Sequence, residues 1–233
     1  MRIKHIEKAT FIDYPGKIAC TIFIYGCPFR CGFCFNPSLV IREDATEIQE
    51  NEILDFLKNR DGVIEAVCFT GGEPLMSIDI NFLEKIKTLG LKIKIDTNGS
   101  FPEKLQELID KKLVDYVAMD IKSSRESYEK TIGINFPLEK IEKSIKIVSQ
   151  LPEHEFRTTI VKTIHTKESF KDMLDWLKSL TQKEIPIFSL QGFKNHGDFI
   201  DNKYKREINT TEEYLKELKE IANNYCKEVN VKY

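Results

Sequence analysis

The sequence predicts an α/β fold, an open and partial (β/α)6-type TIM barrel of parallel strands, and three observations carry the prediction. Six short β-branched or aromatic runs alternate with longer helical patterns along the 233 residues. Strands alternating with helices in this way are joined by right-handed crossovers, which set them parallel. From Lys17 onward the chain is too short for eight units of ~31 residues each, so the barrel stays open.

The strands are expected at 17–26, 63–72, 91–99, 113–122, 155–163 and 185–193, with the terminal EVNVKY, 228–233, as a short last strand. Helix starts are marked by capping-box spacings at Thr46 with Gln49, Ser100 with Glu103 and Thr210 with Glu213. Apolar residues then recur on one helix face: Leu83, Ile86 and Leu89; Leu105, Leu108 and Ile109; Leu138, Ile141, Ile145 and Val148. The same spacing holds for Phe170, Met173, Leu174 and Leu177, and for Leu215, Leu218 and Ile221. No Gly/Ser/Pro-rich linker and no repeat beyond the βα alternation interrupts the chain, so residues 1–233 read as a single domain.

Composition narrows the partners. Lysine plus arginine (35) nearly balances aspartate plus glutamate (37), so overall charge recruits neither nucleic acid nor an anionic membrane. At 41% hydrophobic residues a sizeable core is available. No apolar run approaches the ~20 residues that span a bilayer, and MRIKHIEKAT lacks the apolar core of a signal peptide. A cytoplasmic protein is expected.

Three of the six cysteines, Cys27, Cys31 and Cys34, crowd into YGCPFRCGFCFNP after the first predicted strand. In a reducing compartment such a cluster points to a metal or redox site rather than to disulfides. Structural zinc wants four closed ligands, and His5 and Cys20 lack the spacing to complete a set. A cubane iron–sulfur cluster on three thiolates leaves one iron open to a small molecule. TGGEP (70–74), DTNGS (96–100) and MDIKSS (119–124) follow the next three strands, at the rim where parallel α/β folds build their sites. Taken singly, TGGEP and DTNGS are strand-ending turns, and Asp96 and Asp120 are solvated rim carboxylates. Cys20 and Cys68 in strands, and Cys226 assigned to the last helix, read as packing residues. Gln191, Asn195 and His196 follow the 185–193 strand, and the charged run 201–213 reads as a solvated loop entering a helix.

C-x3-C-x2-C with Phe33 before the last cysteine, then Gly-Gly-Glu-Pro after the next strand, resembles the radical S-adenosylmethionine (SAM) superfamily. FIDYPGK (11–17) and CGFCFNP (31–37) resemble, more narrowly, the activating proteins of glycyl radical enzymes, above all the compact anaerobic ribonucleoside-triphosphate reductase type. The resemblance implies a radical SAM core with one 4Fe-4S cluster on Cys27, Cys31 and Cys34. Its fourth iron takes the amino and carboxylate groups of SAM. Reductive cleavage then yields a 5′-deoxyadenosyl radical that removes hydrogen from a glycine of the partner enzyme. Under the same resemblance Gly71 and Gly72 bring backbone close to the methionine part of SAM, and Glu73 accepts from its amino group. Phe33 packs by the adenine, Asp96 and Asn98 lie beside the ribose or methionine end, and Lys122 meets the carboxylate. Asp96 and Asp120, with the carbonyls of Thr97 and Ala118, would also form a pocket for a monovalent cation. The implied partners are a glycyl radical enzyme and a reducing electron donor such as flavodoxin or ferredoxin. Only Cys68 and Cys226 follow Cys34, which argues against auxiliary clusters. Two other readings remain at this stage: a radical SAM enzyme acting on a small molecule, and a non-catalytic zinc or iron–sulfur module.

Overall fold

A computed structural model of the chain describes residues 1–41 and 47–232. Eight strands form one sheet in the order β1 to β8, with β1 and β8 at its ends. β1 (Ile3–Thr10) runs antiparallel to β2 (Ala19–Ile24), whereas β2 with β3, β3 with β4, β6 with β7 and β7 with β8 pair in parallel. This is the open, mostly parallel α/β sheet that the alternation predicts. Among the described residues no helix is long and apolar enough to cross a membrane.

The chain divides into two compact units. The first comprises residues 1–28, 36–97 and 103–117. Here β2 pairs in full parallel register with β3 (Ala66–Gly71), from Ala19 opposite Ala66 to Ile24 opposite Gly71. β3 pairs in turn with β4 (Lys92–Thr97). A short α1 (Ser38–Ile41) follows the cysteine loop. α2 (Glu50–Lys58) buries Ile53, Leu54 and Leu57, and α3 (Ile80–Thr88) buries Phe82, Leu83 and Ile86. Phe69 of β3 meets Phe82 edge-on at 6.2 Å, which fixes the helix-facing side of this sheet.

The second unit comprises residues 29–35, 98–102 and 118–233. β6 (His154–Ile160) pairs parallel with β7 (Ile185–Gly192), and β7 with β8 (Cys226–Lys232). α5 (Tyr128–Ile132), α6 (Leu138–Val148), α7 (Lys167–Thr181) and α8 (Glu212–Ala222) supply its helices. Their buried faces are the expected ones, including Ile141, Ile145 and Val148 on α6 and Phe170, Met173, Leu174 and Leu177 on α7. α4 (Pro102–Asp110) and β5 (Tyr116–Asp120) each contribute residues to both units.

Three details correct the sequence expectations. Thr211, not Thr210, caps α8 by accepting from the Tyr214 amide, while the Thr210 hydroxyl donates to the Ile160 carbonyl. α4 opens at Pro102, one residue too late for Ser100 to cap it, and Ser100 Oγ has no hydrogen-bond partner among the described residues. Cys226 opens β8 instead of lying in the last helix. Thr46 lies outside the described residues, and α2 starts after Gln49, which makes no side-chain cap bond.

Candidate active site

The glycine turn closes β3 in the first unit. Gly71 has φ +117°, and a Cβ there would stand 2.6 Å from the backbone N and O of Ile24. At Gly72 a Cβ would stand 2.1 Å from the Gly26 carbonyl oxygen. Both glycines are therefore required by the chain's own backbone, whatever ligand approaches. The Gly72 amide donates to Ile24 O at 2.9 Å and the Glu73 amide to Gly26 O at 2.7 Å, which stitches the turn to the residue before Cys27. Glu73 is wholly buried. Its Oε1 accepts from the Leu75 amide at 3.1 Å, capping the 3-10 turn Pro74–Met76, and from the Thr97 hydroxyl at 2.8 Å. Asp96, at the end of β4, is ion-paired to Lys94.

The cysteine loop continues into the second unit with Phe29–Phe35. The Arg30 amide donates to Ile132 O at 2.8 Å, and Gly133, with φ +73°, comes so close that a Cβ would stand 2.5 Å from Arg30 O. The Cys34 amide donates to Cys31 O at 3.1 Å. Gly32 lies against Tyr204, whose ring would meet a Cβ at 2.6 Å, and accepts from the Asp201 amide at 3.0 Å. Phe33 packs on Tyr204 at 5.8 Å and Phe35 stacks on Phe193 at 5.8 Å. The charged run read as a solvated loop thus supplies a buried aromatic to the cysteine loop. Replacing Tyr204 with alanine should cost about 3 kcal/mol of stability. Tyr204→Phe should cost little, and urea unfolding of the two variants checks both expectations.

Cys31 is buried, and burial pushes its thiol up to about 11, against the pull of the neighbouring Lys122 ammonium. Cys27 and Cys34 are half-buried. Asp120 takes Arg157 Nε on Oδ1 at 2.9 Å and Lys122 Nζ on Oδ2 at 3.1 Å. Although burial opposes ionisation, these two cations hold its carboxyl down at about 2, and Lys122 is shifted upward in return. Of the two carboxylates expected to form a cation pocket, Asp96 is ion-paired with Lys94, and Asp120 with Lys122 and Arg157. Asn98 is buried, with Oδ1 accepting from the Ser100 amide at 3.0 Å.

Sequence reasoning did not single out Arg157, Tyr204, Lys94 or His165. His165 is 1% exposed. Its Nδ1 accepts from the Val161 amide at 3.1 Å, so the proton sits on Nε2, which donates to the Lys122 carbonyl at 3.0 Å. Burial pushes its pKa down to about 4. The unfolded chain therefore binds a proton that the native state refuses. Stability from the neutral ring is complete above pH ~6.5 and is lost as pH falls toward 4, by about 3 kcal/mol. The stability gap between native protein and His165→Gln, measured by urea unfolding, should be wider at pH 7 than at pH 4.5.

Residues 21–180 match the family described as the radical SAM superfamily. The chain belongs to that superfamily. A Methanocaldococcus jannaschii protein, MJ1227, named as an inferred glycyl-radical enzyme activating enzyme, is 32% identical over 99% of this chain and 95% of its own length. The pyruvate formate-lyase-activating enzyme of Clostridium pasteurianum is 28% identical over 94% of this chain and 98% of its own. The crystal structure of a domain of pyruvate-formate lyase-activating enzyme from Bacteroides vulgatus superposes with a TM-score of 0.57 at 21% identity. It covers 72% of this chain and 99% of that one, a likeness of fold.

This radical SAM enzyme takes the superfamily's cofactors, a 4Fe-4S cluster and SAM. Among the described residues no three Cys, His, Asp or Glu side chains are gathered into a closed metal cage. The fit lies in the donor set, three thiols on one loop, which is the soft ligand type that iron–sulfur clusters require.

Proposed function

We propose that this radical SAM enzyme activates a glycyl radical enzyme, anaerobic ribonucleoside-triphosphate reductase. The observation that carries the reading is the alignment of a relative named for glycyl-radical activation along 99% of the chain. The compact form, with only Cys68 and Cys226 after Cys34, supports an activator with one cluster.

When bound, the cluster and SAM supply one-electron reduction of the sulfonium and abstraction of hydrogen from a glycine Cα, with flavodoxin or ferredoxin as the electron source. Cys27, Cys31 and Cys34 would hold the iron. Lys122, paired with Asp120, would meet the SAM carboxylate. Gly71, Gly72 and Glu73 would shape the turn beside the methionine part, Asp96 at the end of β4 and Asn98 just after it would contact the cofactor, and Phe33 would pack by the adenine. The protein's work is to orient the cofactor and exclude water and oxygen.

The test incubates anaerobically reconstituted enzyme with SAM, dithionite and the purified reductase, and records electron paramagnetic resonance. A glycyl radical signal that requires both proteins is expected. 5′-Deoxyadenosine formation with no protein radical on the reductase would contradict the assigned partner.

A further inference from the structure

The side of the first unit's sheet opposite Phe69 and α3 carries a polar row where a barrel interior usually packs branched aliphatics. Thr21 of β2 stands opposite Cys68 of β3, and Cys68 opposite Lys94 of β4. The Lys94 side chain is only 2% exposed. Its ammonium pairs with Asp96 Oδ1 and lies 5.8 Å from the centroid of the Tyr116 ring. Asp96, two residues further along the strand, is 15% exposed and stands at the strand end.

A buried lysine is an expensive choice. Lysine is almost never fully buried without a partner. Replacing a buried ion pair by apolar residues of similar volume is often neutral or stabilising. The surrounding strands offer apolar packing in abundance, with Ile93 and Ile95 wholly buried on either side of Lys94. Stability alone therefore gives little reason for a lysine at this position. Its geometry gives a better one, because the ammonium holds a carboxylate at the end of a parallel strand, where such folds bind ligands.

We infer that Lys94 is a positioning residue for Asp96: its buried ammonium fixes the orientation of the carboxylate that the proposed function places against the cofactor. The inference rests on that reading of Asp96. Lys94 itself sits behind Asp96, along the strand from the rim, and acts through it.

The test uses four proteins, native, Lys94→Met, Asp96→Asn and the double variant, each with two readouts. SAM affinity is measured by equilibrium dialysis on the reconstituted forms, and stability by urea unfolding of the same proteins before reconstitution. Lys94→Met, close in volume but uncharged, should weaken SAM binding by about tenfold or more, the scale of losing one partner of a buried pair. The double variant should bind SAM no more weakly than Asp96→Asn and should regain part of the stability that Lys94→Met loses, the non-additivity of a coupled pair. Lys94→Met that is less stable yet binds SAM as the native protein does would overturn the inference and leave the pair purely structural. Native reconstituted protein that binds no SAM would overturn the functional reading, and this inference with it. The stability cycle separates the two failures, because it reports the pairing without SAM.

Discussion

Anaerobically reconstituted Cys31→Ala protein should produce no 5′-deoxyadenosine from SAM and dithionite, while Cys226→Ala should produce as much as the native enzyme. Both cysteines are buried, and burial pushes both thiols up, to about 11 and about 12. Burial therefore does not separate them, and position does. Cys31 lies in a loop whose backbone is tied to Ile132 and Asp201 and packed beneath Tyr204, next to Lys122. Cys226 begins β8, opposite Ile185, in a strand outside the cysteine loop. On the proposed assignment of the cluster to Cys27, Cys31 and Cys34, removing one thiol leaves two donors where the cluster would take three. Iron content and 5′-deoxyadenosine yield should fall together in Cys31→Ala and stay level in Cys226→Ala.

Gly72→Ala should be strongly destabilising, because of all the glycines it is the one at which an added Cβ would meet a neighbour most closely. The added carbon would stand 2.1 Å from Gly26 O and 2.7 Å from Gly26 C, and neither backbone atom can move without breaking the Glu73 amide to Gly26 O bond. Overpacking of this kind costs about 3 kcal/mol or more when backbone must shift. Because Gly26 immediately precedes Cys27, iron incorporation should fall along with stability. Gly62→Ala makes the comparison clean. Gly62 has φ +73° and nothing within 4 Å of an added Cβ, so only the backbone strain of about 1–2 kcal/mol applies. Urea unfolding midpoints of the two variants, measured side by side, should rank them in that order.

Much of the frame was legible because β2 to β7 are short runs with β-branched or aromatic residues flanked by turns. β1 was not legible. Only Ile3 and Thr10 are buried along its length, and its two lysines and one glutamate suit a charged edge strand, so no apolar alternation announces it. The α8 cap shows the limit of motif spacing, since adjacent threonines differ only in what their hydroxyls reach in three dimensions. Proline at the start of α4 moved that helix one residue beyond the Ser100 signal.

The site divided along similar lines. Cysteine spacing and the Gly-Gly-Glu-Pro turn are local signals, and they survive into the structure as a tied loop and a stitched turn. Lys94 was hidden because LKIKI reads as an alternation with one solvated lysine face. Lys92 is indeed exposed, yet Lys94 on the same face is buried, because strands within a parallel sheet are covered on both sides. Arg157 was hidden in HEFRTTI, a strand with several polar residues, and its partner Asp120 lies 37 residues away in sequence. Tyr204 was masked by the lysines and arginine around it. The glycines were expected to make room for cofactor, and the close neighbours that require them are Ile24 and Gly26 of the same chain.

The central claim, hydrogen abstraction from a glycine of a partner protein, is tested most directly by isotope transfer. The proposed partner, anaerobic ribonucleoside-triphosphate reductase, is prepared with glycine deuterated at Cα and incubated with the reconstituted enzyme, SAM and dithionite. The 5′-deoxyadenosine is then examined by mass spectrometry. Activation of a glycyl radical enzyme predicts one deuterium in the nucleoside and a matching glycyl radical in the reductase. Unlabelled 5′-deoxyadenosine, formed in the same amount with or without the reductase, would contradict it.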